Sequence, residues 1–528
     1  MITGENYIGN NRSAHGEKTF RTFNPKLNIE NGQVFHEASY EEVDKAVALA
    51  WEAFSQYQNI SGNKKAEFLR TIAAEIEILG EELVKVYCQE TGLPEGRAIG
   101  ERGRTCYQLR TFADLVAEGS WVQATIDTVI PSREPLAKPD LRKLSVPIGP
   151  IAVFGASNFP LAYSTAGGDT ASALASGCPA VVKSHPMHAG TGELVASAII
   201  KAVEKIGMPN GVFSNLNSGD IEIGKQLVKH PKIKGVGFTG SIVGGRALFD
   251  MASERKEPIP VFAEMGSINP VVLLPKALLI KGEDWAKTYA SSITLGTGQF
   301  CTNPGLLLGI KSDSLEQFIR TLSDEIIAIE PSCMLHPNII SKYDGNKKKV
   351  LQEESVLMSA NYSEPVPVNH ARQTVVRVEG SSFSENPKLH QEVFGPFSMV
   401  VECSSIAELI AVINGLEGQL TGTIIGKKEE LEAHKEVISA LQNRVGRLIF
   451  NGVPTGVEVC PAMQHGGPYP ASTDSRFGAV GVHAIQRWVR PMSYQNWPDN
   501  LLPQALQNGN PLGISRLVNN ETTSEIIP

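Results

Sequence analysis

Between Pro147 and Ala263 short apolar runs alternate with helical stretches, and no other feature constrains the fold as tightly. The runs are Ile151-Ala152-Val153-Phe154, Ala180-Val181-Val182, Val212-Phe213, Val236-Gly237-Phe238 and Ile259 to Ala263. The spacing predicts helices near 165–176, 190–206, 221–229 and 243–252. Strands this short, and apolar throughout, are buried on both faces, which is the habit of a parallel sheet with crossover helices. The region therefore predicts an α/β architecture of the nucleotide-binding type. In such sheets ligands gather at the carboxyl ends of the strands.

A second alternating region follows, with strands expected at 270–274, 306–310, 375–378, 399–403, 420–425 and 447–451 and helices near 285–294 and 314–329. Ahead of both, Ser39-Tyr40-Glu41-Glu42 matches a capping box, and Val43, Val47, Ala50 and Phe54 continue it at helical spacing. Further helices are expected at 64–79 and 81–90. Residues 120–147 are extended and proline-rich and read as a projecting ribbon. From Pro491 the chain reads as an irregular tail, with Tyr494 and Trp497 exposed for docking on a partner subunit. A chain of 528 residues needs more than one core. The expected division is 1–121 with 147–261, then 262–452, with 122–146 and 453–528 as bridging segments.

A net charge of −8 argues against a nucleic-acid partner. Seven cysteines without a CxxC or Cys/His cluster suggest no bound metal and a reducing, cytoplasmic setting. No basic-then-apolar leader opens the sequence, and no apolar run is long enough for a membrane span.

Cys301 is the residue that points to chemistry. It lies in Gly296-Thr297-Gly298-Gln299-Phe300-Cys301-Thr302-Asn303-Pro304-Gly305, whereas a packing cysteine sits among apolar neighbours. Such a turn is expected to expose backbone N–H groups beside the sulfur and favour a thiolate. Glu264, after the run ending at Ala263, is either a solvated strand end or a general base at a pocket mouth. Asn158, in Phe154-Gly155-Ala156-Ser157-Asn158-Phe159-Pro160, is either a turn former or a donor to an oxyanion. Lys183 ends the next strand at the same edge. Gly235-Val236-Gly237-Phe238-Thr239-Gly240 spells GxGxxG, but the strand itself runs through it, so the register is wrong for a dinucleotide fingerprint. Only Gly240 and Ser241 reach the turn where a phosphate meets a helix N-terminus.

In order, Ser157-Asn158-Phe159-Pro160, Val182-Lys183, Phe238-Thr239-Gly240-Ser241, Glu264-Met265-Gly266, Gly298-Gln299-Phe300-Cys301 and Glu392-Val393-Phe394-Gly395-Pro396 resemble the motifs of the aldehyde dehydrogenase superfamily. The resemblance covers nearly the whole chain. It implies a Rossmann-type parallel-sheet cofactor domain, an α/β catalytic domain and a small β-ribbon that joins subunits into a homodimer or homotetramer. It implies Cys301 as nucleophile, Glu264 as base for the thiol or the deacylating water, and Asn158 with the Cys301 N–H as the oxyanion hole. Lys183 and Ser184 then face the adenosine ribose, Gly240 and Ser241 the pyrophosphate, and Glu392 and Phe394 the nicotinamide half. The implied chemistry is thiolate attack on an aldehyde, hydride loss to the nicotinamide, and hydrolysis of the thioester left behind.

Departures from the common pattern narrow the expectation. Pro186, in Lys183-Ser184-His185-Pro186, replaces the glutamate that would grip both ribose hydroxyls. NADP is thus expected to be accepted and preferred, with NAD also used. Ser157 stands where many relatives carry Trp, which suggests a roomier substrate tunnel. Gln464-His465-Gly466-Gly467-Pro468-Tyr469-Pro470 replaces a Gly-Gly-x-Lys-x-Ser-Gly stretch. With Glu101-Arg102-Gly103-Arg104-Thr105 and Pro454-Thr455-Gly456-Val457-Glu458-Val459-Cys460, these features resemble one branch. It holds α-ketoglutaric semialdehyde (2,5-dioxovalerate) dehydrogenases and an NADP-linked fatty aldehyde dehydrogenase. Arg104 and Gln108 share a helix face, and with Phe159 they are the expected substrate contacts. An arginine there favours an aldehyde ending in a carboxylate. A long-chain aldehyde is the alternative substrate. A cysteine hydrolase without nicotinamide, or a non-catalytic binding protein of the same fold, would be different classes of protein.

Overall fold

The structure, a computed structural model, describes residues 2–528. Its first sheet runs in the order Val261–Glu264, Gly235–Thr239, Ile151–Phe154, Ala180–Lys183, Phe213–Leu216, Asn6–Ile8, Asn11–Ser13. The strands from Val261–Glu264 to Phe213–Leu216 are parallel, and the two N-terminal strands add antiparallel. Ile151–Phe154 comes first in the chain among the parallel strands, yet its successors lie on both sides of it. The loops after Ile151–Phe154 and Gly235–Thr239 therefore leave in opposite directions and open a crevice at their carboxyl ends. Ile151, Ala152, Val153, Val181, Val182 and Val236 are all buried. Each Val or Ile among them contributes about 1.5–3 kcal/mol by leaving water.

The strand Gly235–Thr239 runs through the first five of the GxGxxG letters and leaves Gly240 to the turn, as the register argument required. The capping box forms: Glu42 N–H donates to Ser39 Oγ at 3.1 Å, and Ser39 N–H to Glu42 Oε2 at 2.7 Å. That cap starts the helix Tyr40–Tyr57, whose buried stripe includes Val43, Ala46, Val47 and Ala50. The N-terminal portion, expected to be helical after an extended start, begins with four strands between Asn6 and His36.

The second sheet runs Leu357–Asn361, Thr374–Glu379, Phe397–Cys403, Leu306–Ile310, Pro270–Leu273, Gln419–Ile425, Val445–Phe450. It is parallel except at Leu357–Asn361, the edge strand that lies antiparallel to Thr374–Glu379. The tail differs from expectation. It resumes as the strand Val489–Gln495, pairs antiparallel with Leu141–Pro147, and later adds Arg516–Val518 parallel to Thr125–Asp127. Ala124, Ile126, Leu144, Leu502, Leu506 and Ile514 form a small core of their own beneath it. The tail thus packs first on its own ribbon, because its apolar residues find partners there. Among the described residues no helix is long and apolar enough to cross a membrane.

Candidate active site

Cys301 sits in a turn that side chains fasten from several directions. The helix Pro275–Thr294 runs into a tight turn in which Gly296, Thr297 and Gly298 all have positive φ. At Gly298 a Cβ would lie 2.2 Å from Gly395 O, so only glycine fits. Thr297 tolerates the strain because its hydroxyl is bonded to Ser332 Oγ at 2.7 Å and to Cys333 O. Asn269 Nδ2 donates to Cys301 O at 2.8 Å and to Asn303 O at 2.9 Å. The sulfur therefore projects from a fixed backbone.

Glu264 ends its strand and is buried. Beyond it Met265 N–H donates to Ala471 O, which brings the 465–479 segment across the strand end. That segment delivers His465, which is 1% exposed. His465 Nε2 lies 2.9 Å from Glu264 Oε1 and 3.5 Å from Cys301 Sγ. One ligating atom from each of the three residues falls within 4.8 Å of the others. The elements that supply them are far apart in sequence and meet between the two sheets.

The expectation of a resting thiolate does not hold. Burial pushes the Cys301 thiol well above its ordinary value of 9.0, and the negative charge of Glu264 pushes it further. The Cys301 backbone N–H pulls the other way but loses. The carboxylate beside the sulfur explains this: like charges disfavour a second anion. The sulfur therefore holds its proton, and the Glu264 carboxylate is the charged group beside it.

Asn158 Nδ2 donates to Gln299 O at 3.1 Å, two residues before Cys301. Its amide thus lies against the cysteine turn with one of its two hydrogens committed.

Two cavities reach the sulfur. One, about 310 Å³, is walled by Arg97, Arg104, Phe159, Tyr163, Phe300 and Val457 and ends at Cys301 and Thr302. Phe159 stacks edge-on with Tyr163 and Phe300 at 5.2 and 5.4 Å, and the Arg97 guanidinium lies 4.3 Å from its ring centroid. Arg104 Nη2 donates to Tyr163 Oη at 3.3 Å and Nε to Val457 O at 3.4 Å, while its buried Nη1 has no partner. Gln108 departs from expectation: it is one turn past the cavity, with Nε2 donating to Ala479 O at 3.2 Å. Ser157 also departs, lining the opposite cavity.

That opposite cavity, about 260 Å³, joins Ser157, Asn158, Gly240, Ser241, Glu264, Cys301, Glu392 and Phe394. Ser241 caps the helix Ile242–Ser253 by accepting from Gly244 N–H at 3.2 Å. A Cβ on Gly240 or Gly244 would meet the Phe238 ring at 2.6 or 2.9 Å, so glycine is what lets that ring pack against the helix end. The Glu392 carboxyl packs on Gly266, and burial raises its pKa to about 7. Farther along the sheet edge a cavity of about 330 Å³ is lined by Lys183, Ser184, His185, Pro186, Asp220 and Lys225, among others. Lys183 Nζ donates to Ser218 O at 3.0 Å, and burial pulls it down to about 8. The Ser184 hydroxyl is buried without a partner. His185 stacks on His188 at 5.1 Å, and burial holds it well below its ordinary pKa, so it brings no positive charge.

Sequence reasoning passed over Arg97, Tyr163, Asn269 and the role of His465. Only the glycines around His465 signalled a special backbone, and nothing in the spacing from Cys301 tied the two together.

The family model described as "Aldehyde dehydrogenase family" matches residues 12–338. The chain is 46% identical over 521 residues to the "Alpha-ketoglutaric semialdehyde dehydrogenase" of Acinetobacter baylyi, covering 98% of this chain and 99% of that protein. It is 46% identical over 519 residues to the "Alpha-ketoglutaric semialdehyde dehydrogenase 2" of Azospirillum brasilense, with the same coverage. Among solved structures it resembles a betaine aldehyde dehydrogenase of Staphylococcus aureus in complex with NAD+, with TM-score 0.80 at 18% identity. The match covers 95% of this chain and 100% of that one. It also resembles a 1-pyrroline-5-carboxylate dehydrogenase, with TM-score 0.76 at 20% identity, covering 93% and 92%.

Proposed function

This chain belongs to the aldehyde dehydrogenase family, and we propose that it oxidises 2,5-dioxopentanoate (α-ketoglutaric semialdehyde) to 2-oxoglutarate with NADP or NAD. Arg104 carries the substrate assignment: its guanidinium edges the cavity that ends at Cys301, and its buried Nη1 has no partner. A buried donor left unsatisfied costs free energy, and a substrate carboxylate would satisfy it. The two relatives at 46% identity carry the same substrate in their names.

In the proposed reaction Glu264 takes the thiol proton as Cys301 Sγ attacks the aldehyde carbon. The resulting oxyanion is held by the free hydrogen of Asn158 Nδ2 and by the Cys301 N–H. A nicotinamide held in the opposite cavity would supply the hydride acceptor; collapse of the oxyanion with loss of hydride from the carbon leaves a thioester on Cys301. Once Glu264 has passed the thiol proton to solvent, its carboxylate draws a proton from water, which attacks the thioester; the acid is freed, and the departing thiolate takes that proton back from Glu264. His465 Nε2 lies 2.9 Å from Glu264 Oε1, beside the carboxylate that takes the proton. Lys183 and Ser184 would hold the adenosine ribose, Gly240 and Ser241 the pyrophosphate, and Glu392 and Phe394 the nicotinamide half. Gly240 and Ser241 on the cavity wall ahead of the helix Ile242–Ser253, and the unpartnered Ser184 hydroxyl, fit that placement. NADP preference rests on Pro186, which offers no carboxylate to a 2′-phosphate.

The aromatic wall of Phe159 and Phe300 favours one second reading, a long-chain aldehyde. A panel of aldehydes assayed with both cofactors separates the two. The keto-semialdehyde should give the highest kcat/KM, and higher values for hexanal and longer chains would overturn the assignment. An NADP efficiency roughly a hundredth of that with NAD, about 2.7 kcal/mol, would overturn the cofactor preference. The proposed division remains 1–121 with 147–261, 262–452, and 122–146 with 453–528, although its boundary at 261 falls inside Val261–Glu264, the edge strand of the first sheet. Exposed Val129, Ile130 and Leu136 on the ribbon and Phe450 on the edge strand support a homodimer or homotetramer. The free cysteines support a cytoplasmic setting.

A further inference from the structure

We propose that Cys301, His465 and Glu264 together form a zinc(II) site, so that the catalytic centre doubles as a metal-operated off switch. The residue types are a thiolate, an imidazole and a carboxylate, the donor set that zinc takes in tetrahedral coordination. Zinc arms of about 2.3 Å to sulfur and about 2.0–2.2 Å to nitrogen and oxygen place neighbouring ligand atoms about 3.4–3.6 Å apart. The structure holds Cys301 Sγ and His465 Nε2 at 3.5 Å, and His465 Nε2 and Glu264 Oε1 at 2.9 Å. The first separation already suits the metal. The second must widen by about half an ångström, a small adjustment at a carboxylate.

The surroundings favour the same ligand. Glu264 is 6% exposed, and neither of its oxygens has a hydrogen-bond donor of good geometry. His465 is buried against the Tyr163 ring, 5.9 Å between centroids, which limits how far the imidazole can swing away. The backbones are prepared too: Asn269 pins the Cys301 carbonyl, and the Ala471–Met265 bond fixes the strand end that carries Glu264. Both cavities reach Cys301 and one of them also reaches Glu264, so an ion has a route in, and zinc's fourth position is left for water. Sequence spacing hid this cluster, because its members stand at 264, 301 and 465 rather than in a CxxC or HxxxH pattern.

Coordination forms a zinc–sulfur bond, a zinc–nitrogen bond and a zinc–oxygen bond. The thiol proton leaves to solvent, and nothing is oxidised or reduced. Sulfur so bound is no longer free to attack an aldehyde, and Glu264 is no longer free to take a proton. The consequence for activity rests on the roles proposed above for Cys301 and Glu264, whereas the binding itself does not.

Cobalt(II) serves as the visible probe, titrated into the full-length chain, with zinc(II) as competitor. The expected result is one equivalent per chain, a thiolate-to-cobalt charge-transfer band, and displacement by zinc. Cys301→Ser should abolish the band. His465→Gln and Glu264→Gln should each weaken binding by more than about a hundredfold, since losing even an outer-shell partner costs roughly 10–100-fold. Cys460→Ser, at a thiol outside the trio, should leave the titration unchanged. Zinc should also block iodoacetamide labelling of Cys301, reversibly on adding a chelator. Unchanged cobalt binding in His465→Gln, or a band that survives Cys301→Ser, would overturn the proposal. Loss of dehydrogenase activity is read separately, so a protein that binds cobalt at the trio without oxidising aldehydes would sink only the functional reading.

Discussion

Replacing Arg104 with Ala tests the substrate assignment most directly. The side chain is half-buried, with one guanidinium nitrogen already on Tyr163 Oη and the Nε on the Val457 carbonyl. The unpartnered Nη1 is the donor left for a ligand. A hydrogen bond to a charged group contributes about 1.5–3 kcal/mol, and partial exposure of the pair to water argues for the middle of that range. About 2–2.5 kcal/mol corresponds to a loss of roughly 30–70-fold in kcat/KM for the keto-semialdehyde. The loss should fall mainly on KM, because the carboxylate is remote from the reacting carbon and is gripped equally in ground and transition states. Hexanal, with no carboxylate, should lose no more than about threefold, the share due to a loosened Val457 wall. Arg104→Lys should recover only part of the affinity, since an ammonium does not reproduce the planar fork. The assay is initial-rate formation of reduced cofactor with each aldehyde, beside a thermal melt to confirm folding. An equal loss for hexanal and the keto-semialdehyde would refute the reasoning.

Further outcomes follow from the same geometry. In the free enzyme the rate of Cys301 alkylation by iodoacetamide should climb with pH without levelling off below the ordinary thiol value of 9.0, because burial and Glu264 both hold the proton on. Glu264→Gln removes the second of those causes, so its profile should move to lower pH; a profile that stays put would mean that the carboxylate does not act on the sulfur. The Glu392 carboxyl is raised by burial to about 7, so the folded state binds its proton more tightly than the unfolded chain does. Stability owed to that group is fully present below its ordinary value of 4.5 and is lost as pH rises towards about 7. Glu392→Gln should therefore raise Tm at pH 8 relative to the parent and change it less at pH 5, which differential scanning fluorimetry would show. Gly298→Ala would force a Cβ to within 2.2 Å of the Gly395 carbonyl at positive φ. Loss of soluble protein, or a destabilisation of more than about 3 kcal/mol in urea, is expected, whereas near-wild-type stability would contradict the described turn.

The parallel sheets were legible because their strands are apolar on both faces, a pattern that neither an amphipathic helix nor a half-exposed strand produces. The capping box at Ser39 and the misregistered GxGxxG were legible for a similar reason, since each is a local rule. The N-terminal strands were not. Asn11–Ser13 and Ile29–His36 hold one buried residue between them, Phe35, so no alternation marks them, and each pairs only with the strand just before it, Asn6–Ile8 or Thr19–Asn24. Cys301 announced itself through the glycines around it. His465 did not, because what makes it part of the site is its distance to Glu264 and Cys301, which only the crossing of two segments creates. Gln108 misled for the opposite reason. Helical spacing correctly put it on the Arg104 side, but the cavity ends before the next turn, where the Ala479 carbonyl claims its amide.

The pairing of Leu141–Pro147 with Val489–Gln495 has a consequence for how the protein is made. The ribbon leaves the ribosome roughly 340 residues before the strand that covers it, and at about 5–20 residues per second it waits on the order of 20–70 seconds. For that time its edge is a template for any other nascent strand. Arg142 and Lys143 stand within the strand itself, and Pro131, Pro135 and Pro139 interrupt the approach to it. Charges and prolines at such positions discourage pairing between chains, so the ribbon carries its own protection until Val489–Gln495 arrives.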